Sequence, residues 1–157
     1  MAQTLTNLLV HCVFHKLTSA PHITKEDRPL LHQYLRGICA NIGCQCIVAN
    51  GTGDHVHLLL VLSPTVSLSA LVKELKRSST LFLKEHKNQY YRQFYWQHGY
   101  GAFSVSHKIK DAVIQYILNQ EEHHTKQNIG DEFMALLKNA HVEGYIPGLY
   151  WRDDVGK

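Results

Sequence analysis

The chain lacks any long apolar run. Its longest, such as Leu58–Leu62, are far too short for a helix that crosses a bilayer, so no membrane-spanning segment is expected. It also lacks internal repeats, low-complexity tracts and any linker-like stretch. One domain over residues 1–157 is therefore expected, with a core of about 8–140 and a tail of 141–157. There is no C-x-x-C pair. Three of the four cysteines (Cys12, Cys39, Cys44, Cys46) lie in apolar contexts and read as buried free thiols in a reducing compartment. Cys44-x-Cys46 has no second thiolate pair to complete a zinc site. The first sixteen residues, MAQTLTNLLVHCVFHK, lack the charged-then-apolar layout of a signal peptide, and a cytoplasmic location is the expectation. Charge is sparse as well: 18% charged residues and a net +3 permit nucleic-acid binding without requiring it.

Histidine, by contrast, is abundant, at 12 of 157 residues. The stretch DHVHLLL (54–60) sets two of them one residue apart at the mouth of an apolar run. In a chain this rich in histidine, about one such pair arises by simple counting, so its meaning depends on its surroundings.

Periodicity supplies those surroundings. Asn7–His15 has strand composition and ends near the breaker cluster Thr18–Pro21. Lys25–Ile42 carries Leu30, Leu31, Tyr34, Leu35 and Ile38 at helical spacing, with Pro29 in its first turn and Gly43 as C-cap. Cys44–Ala49 and His55–Leu62 read as a hairpin joined by Asn50-Gly51-Thr52-Gly53-Asp54. Ser67–His86 is a second helix, burying Leu68, Leu71, Val72, Leu75 and Phe82. Tyr100–Ser106 is a fourth strand, Lys108–Gln127 a third helix, Asp131–Ala140 a fourth, and the tail after His141 extended. The order β-α-β-β-α-β predicts an α+β, ferredoxin-like split βαβ fold. It has a four-to-five-stranded antiparallel sheet, helices on one face and further C-terminal helices. The other face would be left free to bind something.

In a strand, His55 and His57 share one face while Val56 and Leu58 point into the core. Two imidazoles side by side could hold a divalent metal, or they could be polar residues on a solvated sheet face. In YILNQEEHH (116–124), Val113, Ile114, Ile117 and Leu118 form an apolar stripe. Tyr116, Gln120 and His123 cluster within about 60° on another side. Tyr116 therefore projects off the stripe, one turn before a glutamine whose carbonyl oxygen can bind metal. Its neighbours His123 and His124 could be additional ligands, DNA contacts or surface residues, and the latter two readings are favoured. A metal polarises a phosphoryl oxygen and favours a deprotonated tyrosine, which is otherwise a poor nucleophile near neutral pH. Attack on phosphorus would give a phosphotyrosine ester that can be reversed, breaking and rejoining a strand without a nucleotide cofactor.

DHVHLLL resembles the His-hydrophobic-His motif of HUH nucleases, and YILNQEEHH their single-tyrosine helix. Order and spacing are similar to the small transposases of the insertion-sequence 200/605 type, as is WQHGYGAFSVS (96–106). The resemblance runs from about residue 8 to beyond 140. It implies His55, His57 and Gln120 as metal ligands for Mg²⁺ or Mn²⁺, and Tyr116 as the nucleophile that leaves a 5′-phosphotyrosine and a free 3′-hydroxyl on single-stranded DNA. It also implies a homodimer, hairpin-ended DNA as partner, and a prokaryotic protein associated with the nucleoid when bound. One segment departs from the family. Relatives often carry a Thr-Lys-x-Arg-like run after the first strand, whereas FHKLTSAPHI keeps Lys16 and has no arginine.

Lys73, Lys76, Arg77, Lys84 and Lys87 mark the polar side of the second helix, as a solvated face or as phosphate contacts to a DNA hairpin. Of these, Lys73, Lys76, Arg77 and Lys84, with His123, are the expected DNA-binding residues. The stretch containing Tyr90, Tyr91, Arg92, Phe94, Tyr95 and Trp96 could stack unpaired bases or, for Phe94 and Trp96, form core. The leading reading is a metal-dependent DNA transposase. The alternatives are a non-catalytic or domesticated ferredoxin-like nucleic-acid-binding protein, and a metal hydrolase that uses water in place of Tyr116.

Overall fold

The computed structural model describes residues 2–152; the tail residues beyond lie outside it. Four strands form one antiparallel sheet in the order β2-β3-β1-β4: β1 (Leu8–His15), β2 (Cys46–Gly51), β3 (His55–Leu62) and β4 (Gly101–Ser104). This is the ferredoxin-like arrangement expected, with four strands. The helices α1 (Arg28–Ile42) and α2 (Leu68–His86) cross over one face. Beneath them, Cys12 and Phe14 of β1 and Val56, Leu58 and Leu60 of β3 are fully buried together with Leu31, Leu35, Leu71 and Leu75.

Alternation then sends Leu9, His11, Val13 and His15 of β1, and His55, His57 and Leu59 of β3, to the opposite face. That face is not free. The helix α3 (Lys110–Leu118) packs Ile117, Val113 and Ile114 on Leu9 and Leu59. Further along, α5 (Ile129–Asn139) packs Phe133 and Leu137 on Val13 and Phe103. The reason is compositional: Leu9, Val13, Leu59 and Phe103 are too apolar to be left in water.

The β2–β3 turn is tight. A Cβ on Gly51 would lie 2.1 Å from the His55 carbonyl oxygen, so no other residue fits there without displacing the strand. Helix α1 ends at Gly43 in the left-handed region (φ 86°), as the C-cap rule requires. Two helical stripes are narrower than expected. Leu30 and Tyr34 are exposed, and Leu83 takes the buried place while Phe82 stacks on the Tyr34 ring at 4.3 Å.

The long third helix expected over 108–127 is broken. A 3-10 turn (His107–Ile109) precedes α3, and a separate turn α4 (Gln120–His123) follows it. At Asn119 the backbone leaves helical geometry (φ −96°, ψ 23°). The Asn50 side-chain amide donates to the Ile117 and Leu118 carbonyls at 2.9 and 3.1 Å, occupying acceptors that a continuous helix would use. The tail is extended only in part, since Pro147–Tyr150 forms one helical turn, α6. All four cysteines are buried and free, and no described helix is long and apolar enough to cross a membrane.

Candidate active site

The β1–β3 register sets His15 opposite His55 and Val13 opposite His57, so the two histidines of DHVHLLL face the same side as His11 and His15. All four rings are buried, and burial pushes His57 down to about 4, His11 to about 3 and His15 well below its ordinary value. His55 goes the other way. Burial opposes its charged form, but hydrogen bonds to the Asp54 and Glu132 carboxylates outweigh this and raise it to about 9.

The four residues singled out in the sequence come together. His55 Nε2 lies 3.0 Å from Gln120 Oε1, and the Gln120 amide donates back to the Tyr116 carbonyl at 3.3 Å. The Tyr116 ring meets the His57 ring edge-on at 5.8 Å. The break at Asn119 therefore leaves the Tyr116–Gln120 pairing intact, and Gln120 is fully buried.

At the centre is a residue that local patterns did not reveal. Glu132, in the first turn of α5, is 2% exposed. Its Oε1 lies 3.1 Å from His57 Nε2, 3.4 Å from His55 Nε2 and 3.2 Å from His124 Nε2. Its Oε2 accepts the Tyr116 hydroxyl proton in a 2.5 Å hydrogen bond. Burial raises a carboxyl pKa, but the surrounding histidines prevail and hold Glu132 far below the usual range. Tyr116 is pushed upward, by burial and by that same bond.

Two imidazole nitrogens and a carboxylate oxygen, from His55, His57 and Glu132, all lie within 4.8 Å of one another. These nitrogen and oxygen donors, with the Gln120 carbonyl oxygen 3.0 Å from His55 Nε2, could hold a divalent cation. His124, read from sequence as a surface or DNA residue, turns inward, its ring 4.5 Å from that of His55. His123 packs on Tyr116 at 4.8 Å and lines a small cavity of about 210 Å³ with Asn119, Glu122 and Lys126. His11 and His15 were legible as same-face partners in the first strand, but nothing local announces Glu132.

A match to the family model described as "Transposase IS200 like" spans residues 4–120. The chain belongs to this family. It is 30% identical over 126 residues to the transposase for insertion sequence element IS200 of Salmonella typhimurium strain LT2, covering 78% of this chain and 82% of that protein. The Salmonella typhi IS200 transposase matches to the same extent. A solved structure from Deinococcus radiodurans R1, assigned as a transposase, aligns with a TM-score of 0.61 at 23% identity, over 76% of this chain and 95% of that one. The REP-associated tyrosine transposase bound to a REP hairpin aligns with a TM-score of 0.56 at 14% identity, over 100% and 94%. At these identities the two structures speak to the fold, which is the one described above.

The basic side of α2 lies across the sheet from this IS200-like centre. Lys73 and Arg77 are exposed and border a cavity of about 680 Å³ that Tyr95, Trp96, His98 and Tyr100 also line. Arg77 is paired with Glu74 in two hydrogen bonds. Lys84 lies over the Tyr95 ring at 4.1 Å. Lys76 does not fit the expected role. Its ammonium donates to the carbonyls of Gln97, His98 and Gly99 at 2.5, 3.0 and 2.7 Å, which uses all three of its protons to hold that loop. Lys16 is likewise buried and donates to the Leu17 and Thr18 carbonyls. Phe94, Trp96 and Tyr91 are core, leaving Tyr90 as the exposed aromatic of that stretch.

Proposed function

We propose that this IS200-family transposase is an HUH enzyme that cleaves and rejoins single-stranded DNA through a 5′-phosphotyrosine on Tyr116. The observation that carries the reading is the convergence of Tyr116, His55 and His57 on the buried Glu132 carboxylate, with Gln120 against the His55 ring. His55, His57, Gln120 and Glu132 would hold a divalent ion, Mg²⁺ or Mn²⁺, which when bound would polarise the scissile phosphate. In the chemical step the Tyr116 oxygen bonds to phosphorus and the P–O3′ bond breaks. The Tyr116 proton passes to water, with Glu132 Oε2 orienting the hydroxyl that gives it up, and the leaving oxygen gains a proton as the 3′-hydroxyl. Because the phosphotyrosine ester keeps the energy of the broken bond, a second 3′-hydroxyl can reverse the step.

Lys73, Arg77, Lys84 and His123 would contact DNA, with hairpin-ended strands as substrate and a homodimer as the working form in the cytoplasm. Lys73 and Arg77 lie on the opposite face from Tyr116, so a strand touching both would pass around the sheet. Incubation of the chain with labelled single-stranded DNA from an element end and Mn²⁺ should give a covalent protein–DNA band on a denaturing gel. Tyr116→Phe and chelator should each remove it. Cleavage that survives Tyr116→Phe would indicate a water-using hydrolase, and tight binding without cleavage a non-catalytic module.

A further inference from the structure

Both ligand imidazoles are held on both of their nitrogens, and the groups behind them differ in kind. His55 Nδ1 lies 2.7 Å from Asp54 Oδ1 and 3.0 Å from Thr52 Oγ1, with its Nε2 turned toward Gln120 and Glu132. His57 Nδ1 lies 2.7 Å from His11 Nε2, with its Nε2 3.1 Å from Glu132 Oε1. An imidazole that donates a lone pair through Nε2 must carry its proton on Nδ1, and that proton needs an acceptor. An ionised carboxylate accepts only, so Asp54 fixes the His55 proton on Nδ1.

His11 is not a carboxylate but a neutral ring, 5% exposed and stacked on His57 at 5.0 Å with 28° between planes. It carries one N–H and one lone pair, so it can serve His57 in either tautomer. While Glu132 accepts from His57 Nε2–H, His11 donates its Nε2 proton to His57 Nδ1. When the His57 Nε2 lone pair is required, the roles reverse. One proton leaves His57 Nε2 for water, the His11 Nε2 proton crosses to His57 Nδ1, and His11 Nδ1 takes one proton from water. Each ring ends with a single proton, so the exchange is neutral in charge.

We propose that His11 and Asp54 are positioning residues of the metal centre, Asp54 holding His55 permanently in its ligating tautomer and His11 switching with His57. The inference rests on the metal-site reading above and assigns new roles to two residues behind it. It makes the two histidines of DHVHLLL unequal: His55 is the stronger donor, backed by a carboxylate, and His57 the adjustable one.

Two measurements on the full chain test it. Long-range ¹H–¹⁵N correlation of the histidine rings, in chelator and then with diamagnetic Zn²⁺ as probe, reads the tautomers without any substitution. Zn²⁺ should move His57 from Nε2–H to Nδ1–H and His11 from Nε2–H to Nδ1–H, while His55 keeps its Nδ1 proton. Retention of the His11 Nε2 proton in the Zn²⁺ form would overturn the proposal. Calorimetric titration with Mn²⁺ should show roughly 10–100-fold weaker binding for Asp54→Ala and His11→Phe. His11→Gln should recover most of the affinity, since its amide oxygen can accept from His57 Nδ1–H. Wild-type affinity in every variant, with normal circular dichroism, would sink the positioning roles alone. A wild-type chain that takes up neither Mn²⁺ nor Zn²⁺ would remove the metal reading and this proposal with it. Should His11→Phe fail to fold, the spectra of the unsubstituted chain decide.

Discussion

Glu132 touches Tyr116 and three histidine rings with two oxygen atoms, so a change there acts on the whole site. Glu132→Gln keeps the shape but removes a buried charge that His55 depends on, and should cost about 3 kcal/mol in chelator, measured by urea unfolding. The two histidines of DHVHLLL also respond to pH in opposite directions. His55 is raised to about 9, so its contribution is full below its ordinary 6.5 and is lost as pH rises through 9. His57 is lowered to about 4, so its contribution is present above 6.5 and is lost as pH falls through 4. The metal-free chain should therefore be most stable near pH 6.5, with the urea midpoint falling on both sides. A midpoint that climbs steadily from pH 6.5 to 9 would contradict the His55 network. At this scale the sequence was partly legible. Period-two alternation is enough to pair His55 with His57, and a four-residue helical step to pair Tyr116 with Gln120. Glu132 and His124 are brought in by tertiary packing, which no local spacing encodes.

The helices and strands were legible wherever apolar periodicity decided them, as in β3 and α2, whose bounds differ from expectation by at most one residue. The break at Asn119 was not, because its cause is Asn50, far away in the chain, taking two helix carbonyls. Nor was the covering of the second sheet face, which depends on where α3 and α5 return. Asn50→Ala should leave those carbonyls without their side-chain donor, costing about 1–2 kcal/mol. It should also let the Tyr116 helix run on, slowing covalent DNA capture more than it weakens DNA binding. Gly51→Ala meets the His55 carbonyl directly and should destabilise the chain by more than about 1 kcal/mol in thermal unfolding. Gly51 thus fixes where β3 begins, and with it which residues of DHVHLLL face the site.

Across the whole molecule, charge divides into cations that hold the fold and cations open to solvent. Lys76 is of the first kind, and Lys76→Met should lower the melting temperature by releasing the 97–99 loop. Lys73 is of the second kind. If it contacts phosphate, Lys73→Ala should weaken hairpin DNA binding while reducing the slope of log affinity against log salt by about 1. An unchanged slope would remove it from the DNA path. The position of Glu132 has a consequence for the life of the chain as well. The histidine pair is synthesised early, the tyrosine much later, and the carboxylate that gathers them later still. A nascent chain, or one clipped before α5, would carry His55, His57 and Tyr116 without the carboxylate on which all three meet.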